Sequence, residues 1–501
     1  MEIIVKKGDI LSSEADLLVI GAYEGGNWDN EFMIRVDQML GGKFSKLAKA
    51  QEFVGKVGQS LLFPAPDAVP VDYVLIVGLG KEGEELLNAA REAAGNAVLT
   101  AKKLGLATLA IEMFGEDDEE YFKAKLFGSA IGDALLLSDY RFDNYKNTKH
   151  KSTIKQVTIV AENGRDAIAV QRGIEESLAV VQGVKLARDL VNTPAKDMTP
   201  TALAETALDI GRTSHGQIKV KVLDREACEK KRMGAYLAVA QGSEEDPKFI
   251  HLIYKPKTSK KTIAVIGKGV TFDSGGLSIK PAANMESMKC DMAGSAAVLG
   301  LFTILPLLQP NIEVHGIIAA TENLPSGRAI RPGDIVTSSS GKSIEILNTD
   351  AEGRLTLADA LYYAGKQKPD YVIDLATLTG ACMVALGEEI AGIMSNHAKF
   401  ANHILNSAVE GGERMWEMPL EKKYRNLLES DVADIRNIAT SSYGGTLTAA
   451  LFLQEFVPEN MPWAHIDIAG PAYAEKPISS YIGKGGTGFG VRTLINLILT
   501  I

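Results

Sequence analysis

The sequence is poor in cysteine. Cys228, Cys290 and Cys382 lie far apart and are odd in number. That argues against a disulfide framework and fits reduced thiols in a cytoplasmic setting. The seven histidines show no paired spacing, which argues against a His-rich zinc site. No run of about 18 uninterrupted apolar residues stands out, so no membrane-spanning helix is expected. The opening stretch Met1-Glu2-Ile3-Ile4-Val5-Lys6-Lys7-Gly8-Asp9 carries acidic residues where a signal or transit peptide avoids them, and it reads as a first strand. Positive charge is not in excess. The formal net charge of -10 weighs against a general nucleic-acid binder, although a local basic patch would survive that total.

What is present suits a soluble globular protein of two or more domains. A chain of 501 residues is too long for one core. The first part alternates strands (Ile3–Val5, Leu17–Ile20, Val74–Val77, Thr108–Glu112, Val157–Val160) with helices, among them Glu84–Leu104. Glu116–Glu120 reads as a solvated acidic run, and the polar, lysine-bearing segment Arg141–Lys155 as an exposed loop. A long helix is expected over Asp166–Leu190. Asn192-Thr193-Pro194 stops it, and Thr199-Pro200-Thr201 starts another with proline in its first turn. The expected division is an N-terminal α/β domain at 1–165, for oligomerisation or regulation, a connecting helix at 166–192 and a catalytic domain at 193–501. In the second part, strands are expected at Lys219–Leu223, Ile250–Tyr254, Thr262–Gly267, Glu313–Ala319, Tyr371–Leu375 and His465–Ile468. Helices are expected at Gly294–Leu307, Thr356–Lys366, Ala401–Gly411 and Leu447–Phe456. Continuously apolar strands imply sheets buried on both faces. The fold class is therefore α/β: two domains, each a mixed or mostly parallel sheet flanked by helices, joined by a long helix.

Two patterns imitate nucleotide sites. Gly78-Leu79-Gly80-Lys81-Glu82-Gly83 matches G-x-G-x-x-G between a strand and a helix, but the acidic residue due about 20 positions on is missing. It reads better as a glycine-rich turn. Ser340-Gly341-Lys342-Ser343 resembles the end of a phosphate loop, but Val336 stands where its first glycine is required.

The chemistry concentrates elsewhere. Leu347-Asn348-Thr349-Asp350-Ala351-Glu352-Gly353-Arg354-Leu355 sets two carboxylates and an arginine on a strand-to-helix turn, a usual place for functional groups. Lys268 follows an apolar strand, Asp273 precedes a glycine pair, Lys280 comes soon after, and Asp291 opens an apolar helix. Singly, each reads as a cap or an ion-pair partner. Jointly, Asp273, Asp291, Asp350 and Glu352 fall at strand ends and helix starts, which converge on one crevice in an open α/β sheet. Four crowded carboxylates stay ionised only if cations neutralise them. Two divalent ions would do so and form a hydrolytic site. An all-carboxylate set without histidine favours Mn²⁺ or Mg²⁺, with Zn²⁺ as a further candidate.

The runs 267–281, 288–294 and 348–355 resemble those of the leucyl aminopeptidase (cytosol aminopeptidase) family, of the bacterial aminopeptidase A type. Asn348–Leu355 resembles the family's signature octapeptide without substitution. Asn192-Thr193-Pro194, Asp374–Gly380 and Asp467-Ile468-Ala469-Gly470 add to the likeness over most of 180–490. The resemblance implies a metal-dependent exopeptidase that removes leucine and other mainly apolar residues from free peptide N-termini. It implies that Lys268 (as a neutral amine), Asp273, Asp291 and Glu352 bind a tightly held metal. Asp273, Asp350 and Glu352 would bind an exchangeable one that also meets the substrate amine. Lys280 would polarise the scissile carbonyl. Arg354 would hold a bicarbonate ion acting as general base. Met288 and Thr377 would line the first side-chain pocket, with backbone groups of Leu378 and Gly380 holding the substrate. A cytoplasmic homohexamer is implied as well. An alternative, an added DNA-binding role, rests on Lys146, Lys149, Lys151 and Lys155.

Overall fold

A computed structural model describes residues 1–25, 28, 30–67, 69–83, 85–114, 121–149 and 151–501. The acidic run 116–120 and residue 84, the expected start of the first long helix, lie outside the described residues. The chain forms two compact units, Met1–Val181 with Pro477–Gly483, and Gln182–Lys476 with Lys484–Ile501.

The first unit holds β1 (Glu2–Lys7), β2 (Ala15–Ala22), α1 (Glu31–Met39), α2 (Lys43–Ala50), β3 (Ser60–Pro64), β4 (Val71–Gly78), α3 (Leu86–Leu104), β5 (Thr108–Glu112), α4 (Tyr121–Ser138) and β6 (Gln156–Ala161). They make one sheet in the order β1-β6-β5-β2-β4-β3. It is parallel except where β3 pairs antiparallel with β4. Met33, Val36 and Phe44 of α1 and α2 pack on Leu18, Ile20, Val74 and Ile76 of the sheet. The glycine motif is explained by this packing. A Cβ on Gly78 would lie 2.1 Å from the Lys56 carbonyl oxygen and 2.7 Å from Gly55, so glycine there serves a tight crossing of two turns. In the lysine-bearing loop, Lys149 Nζ donates to the Asp143 carbonyl at 2.7 Å.

The helix α5 (Gly164–Asn192) carries the division between the units along its length. The second unit continues with α6 (Pro200–Thr213), β7 (Ile218–Leu223), α7 (Arg225–Lys230), α8 (Gly234–Val239), β8 (Lys248–Tyr254), β9 (Thr262–Asp273), α9 (Ala282–Met285), α10 (Ala293–Leu308) and β10 (Glu313–Asn323). Then come β11 (Ile335–Thr337), β12 (Ser343–Glu345), α11 (Gly353–Gly365), β13 (Tyr371–Ala376), α12 (Gly380–Leu386), β14 (Ala391–Ser395), α13 (Ala398–Gly411), β15 (Met415–Glu417), β16 (Ile435–Arg436), α14 (Gly445–Gln454), β17 (Trp463–Asp467) and α15 (Val491–Thr500). Eight strands form a mixed sheet in the order β15-β14-β17-β13-β9-β10-β8-β7. Its centre, β17-β13-β9-β10, is parallel throughout. Those four carboxyl ends therefore open on the same side, at Asp467, Ala376, Asp273 and Asn323. Leu355, Leu357 and Leu361 of α11 and Phe452 of α14 pack over Val372, Ala376 and Trp463, which fixes the helix N-termini above that edge.

One expectation is corrected. β9 does not end at Gly267; it runs on to Asp273 and carries Lys268 in its interior. The stretch Ala282–Leu308 does have the length and hydropathy of a membrane span, with a mean hydropathy of 1.7, but its most apolar window is 78% buried inside the unit. It is a core element, apolar because the sheet and α15 enclose it.

Candidate active site

The carboxyl end of the central sheet opens into a cavity of about 500 Å³, within the range of small-ligand pockets. Every residue expected at the site lines it: Lys268, Asp273, Lys280, Met288, Asp291, Asp350, Glu352, Arg354, Thr377, Leu378 and Gly380. Each is set there by an identifiable element. Asp273 is the last residue of β9. Asp291 follows the short turn Met288–Cys290 and does not cap α10, whose N-cap is Met292. Glu352 is the N-cap of α11 and makes no side-chain capping bond, so its carboxylate is turned to the cavity cluster instead. Arg354 falls in the first turn of that helix.

The charges interlock. Lys268, 3% exposed, places Nζ at 2.7 Å from Asp291 Oδ1, 2.9 Å from Glu352 Oε1 and 2.9 Å from the Thr377 carbonyl. Three acceptors match the three N–H bonds of an ammonium. Glycine at 353 makes this approach achievable, because a Cβ there would meet Lys268 Cε at 2.5 Å. Lys280 Nζ lies 2.8 Å from Asp273 Oδ2 and 2.5 Å from Asp350 Oδ1. Asp273, Asp350 and Glu352 each offer an oxygen within 4.8 Å of the other two. Asp291 stands apart from that trio, beside Lys268 and the Thr377 hydroxyl, which donates to its Oδ1 at 2.7 Å.

Four carboxylates against two ammonium groups leave an excess of negative charge, and the acidities reflect it. Burial, with repulsion from Glu352, raises Asp273 to about 6. Burial and its carboxylate neighbours push Asp291 well up, against the pull of Lys268. Burial raises Asp350 despite Lys280. Glu352 alone goes down: burial would raise it, but Lys268 and Lys280 prevail. Burial would lower both lysines, yet Asp291 and Glu352 raise Lys268, and Asp273 and Glu352 raise Lys280. Burial lowers Arg354 to about 10, so it remains a cation at neutral pH.

The donor set fits hard cations. Asp291 Oδ2 and Glu352 Oε2 are buried with no hydrogen-bond partner, an arrangement costing more than about 1–3 kcal/mol per charged group unless a cation satisfies it. Binding there would require Lys268 to shed a proton, which metal ligation can drive. The fork of Arg354 likewise fits an anion. Its Nη1 donates to the Asn437 carbonyl at 2.7 Å, and its buried Nε has no partner.

Two other residues of the site are not singled out for it by the sequence, although Asp467 lies in a run that adds to the family likeness. Asn323, at the end of β10, donates to Asp273 Oδ1 at 2.9 Å and to the Thr349 carbonyl at 3.0 Å. Asp467 accepts from the backbone N–H groups of Leu378, Thr379 and Ala469 and from the Thr379 hydroxyl. The N–H of Leu378 is thereby used.

Comparison with known proteins agrees with this architecture. The cytosol aminopeptidase family's catalytic domain matches residues 185–495, and its N-terminal domain matches 19–149. A probable cytosol aminopeptidase of Persephonella marina is 44% identical over 471 residues, covering 93% of this chain and 92% of its own. One from Rippkaea orientalis is 44% identical over 488 residues, covering 97% of each. Among solved structures, a mutant of tomato leucine aminopeptidase superposes with a TM-score of 0.90 at 38% identity, covering 100% of this chain and 97% of its own. The bottromycin maturation enzyme BotP in complex with Mn gives 0.83 at 35%, covering 97% and 99%. The α/β fold and these matches define a metal-dependent peptidase. The chain belongs to the cytosol aminopeptidase family, whose activity is hydrolysis at peptide N-termini.

Proposed function

We propose that the chain is a two-metal aminopeptidase that releases leucine and other mainly apolar residues from peptides. The observation that carries this reading is the trio Asp273, Asp350 and Glu352, with oxygens within 4.8 Å of one another, next to the unpartnered oxygen of Asp291. Lys268, Asp273, Asp291 and Glu352 would hold one ion, and Asp273, Asp350 and Glu352 the other. Mn²⁺ is favoured by the oxygen-rich set, ahead of Zn²⁺ or Mg²⁺. Two divalent cations bound there supply Lewis-acid polarisation and lower the pKa of water.

The chain's own residues do the rest. Lys280 spends two N–H bonds on Asp273 and Asp350, which leaves the third for the oxygen of a scissile carbonyl. Its raised pKa keeps it an ammonium, so it stabilises charge developing on that oxygen. Arg354 presents its planar fork beside the α11 N-terminus, a pairing suited to bicarbonate. A bicarbonate held there by Arg354 would supply a general base for the proton of the attacking water. The Leu378 carbonyl and the Gly380 N–H orient the peptide, and Met288 and Thr377 meet its first side chain. In its resemblance to the family we also read a cytoplasmic homohexamer, with the N-terminal domain (1–165) in an oligomerisation or regulatory role. Light scattering would show about six chains per particle.

The test is hydrolysis of leucine p-nitroanilide by the purified chain with added Mn²⁺. Activity that is lost to a chelator and restored by Mn²⁺ supports the proposal. Inactivity of metal-loaded, folded protein on this and on other amino-acid amides rejects it.

A further inference from the structure

The loop bearing Asp350 and Glu352 is gripped from a distant part of the chain by Asn437, which is wholly buried. Asn437 Oδ1 accepts from the N–H of Leu347 at 2.9 Å and of Asn348 at 3.4 Å. Its Nδ2 donates to the Asn348 carbonyl at 2.6 Å. Asn348 in turn accepts the Asp350 N–H on its own side chain at 2.8 Å. Asn437 also extends the β12–β16 pairing, its N–H donating to Glu345 O at 2.9 Å. Its carbonyl receives Arg354 Nη1 at 2.7 Å. Among the described residues, that is the one side-chain hydrogen bond Arg354 makes.

One residue thus holds the loop on its side-chain amide and the guanidinium on its main-chain carbonyl. A guanidinium has five N–H donors in a rigid plane. Pinning one Nη and the loop at 347–348 to a single buried residue fixes the tilt of that plane against Asp350 and Glu352. The remaining donors, including the unpartnered Nε, are then preset for a planar anion.

We propose that Asn437 is a positioning residue for the reaction: it aims Arg354 at a carboxylate-like anion beside the metal ligands. The proposal rests on the reading of Arg354 as the anion holder. A plain scaffold role predicts lower stability with unchanged anion dependence. A positioning role predicts weaker anion binding in a chain that still folds and still holds metal.

The test uses the full chain loaded with Mn²⁺ and three variants: Asn437→Ser, Asn437→Asp and Arg354→Ala. The probes are ¹³C-bicarbonate, followed by paramagnetic line broadening, and the bicarbonate dependence of leucine p-nitroanilide hydrolysis. Asn437→Ser keeps the main-chain carbonyl that receives Arg354 but removes the side-chain clamp on Leu347 and Asn348. As the loop and the guanidinium lose their common register, half-saturating bicarbonate should rise about tenfold, the size typical of losing an outer-shell contact. KM for the anilide should stay within about twofold of the native value, and metal content should be unchanged. Should the serine variant lack a cooperative melt, Asn437→Asp, which keeps the acceptor for Leu347, is measured in its place, and the same direction is expected. Native bicarbonate affinity in a folded Asn437 variant, with affinity lost in Arg354→Ala, overturns the proposal while leaving the anion reading intact. Native affinity in Arg354→Ala overturns that reading and the proposal with it.

Discussion

Gly353→Ala probes the packing on which the candidate site depends. The added methyl would lie 2.5 Å from Lys268 Cε, 2.7 Å from Nζ and 3.0 Å from Cδ. Two effects oppose each other. Alanine in the first turn of α11 favours the helix by about 1 kcal/mol over glycine. Against this stand overpacking, at about 1–3 kcal/mol, and disturbance of Lys268's bonds to Asp291, Glu352 and the Thr377 carbonyl. Hydrogen bonds to charged groups contribute about 1.5–3 kcal/mol each. Losing even one tips the balance to a net destabilisation of about 2 kcal/mol. Lys268 is a long side chain, so it can retreat and leave Asp291 and Glu352 unpaired while the sheet stays intact. Calorimetry should then show a melting temperature lower by about 2–4 °C, and turnover should fall by at least about tenfold through misplaced metal ligands. A variant melting higher than the native chain, with native turnover, would refute the placement of Lys268 against the start of α11.

Asp350→Ala removes a partner of Lys280 and one of the three clustered carboxylates, and should cut Mn²⁺-stimulated turnover at least about a hundredfold while the fold, checked by circular dichroism, persists. Acid should destabilise the second unit through His251. Burial, together with His315 and Lys221, holds its pKa down at about 3. Between the unfolded pKa near 6.5 and that value the unfolded chain binds a proton the folded one refuses, so stability is full above pH 6.5 and falls as pH drops toward 3, by a total on the order of 5 kcal/mol. Urea midpoints measured across that range should fall less steeply for His251→Gln. Asp467→Asn should weaken the grip on Leu378 and Thr379 and raise KM for peptide amides by about tenfold, read from steady-state kinetics on substrates of different length.

Much of this architecture is legible in the sequence, for reasons that individual elements show. The runs at 250–254, 371–375 and 313–319 read as strands because both sheet faces are covered and most positions are apolar, with His251, Glu313, His315 and Asp374 as the polar exceptions. The continuation of β9 through Lys268 to Asp273 is hidden, because a charged residue in a strand looks like a loop until the partners of Lys268, 23, 84 and 109 positions away, are known. The strands β3, β14 and β15 are short and carry Pro64, Gly392 or exposed Trp416, so they lack a strand signature. In the site, the charges of the 348–355 octapeptide and of 268–291 announce themselves. Asn323 and Asn437 do not. An asparagine is the same letter in a turn as in a buried clamp, and only the three-dimensional pairing of β12 with β16 and of β9 with β10 brings these two to the loop.

The central claim is that this cleft holds two divalent cations on Lys268, Asp273, Asp291, Asp350 and Glu352. Calorimetric titration of the metal-stripped chain with Mn²⁺, read alongside the electron paramagnetic resonance of the product, tests it most directly. Two ions per chain with a spin-coupled signal are predicted, falling to one or none in Glu352→Gln. A single uncoupled ion in the native chain, or two ions undisturbed by that substitution, would contradict it.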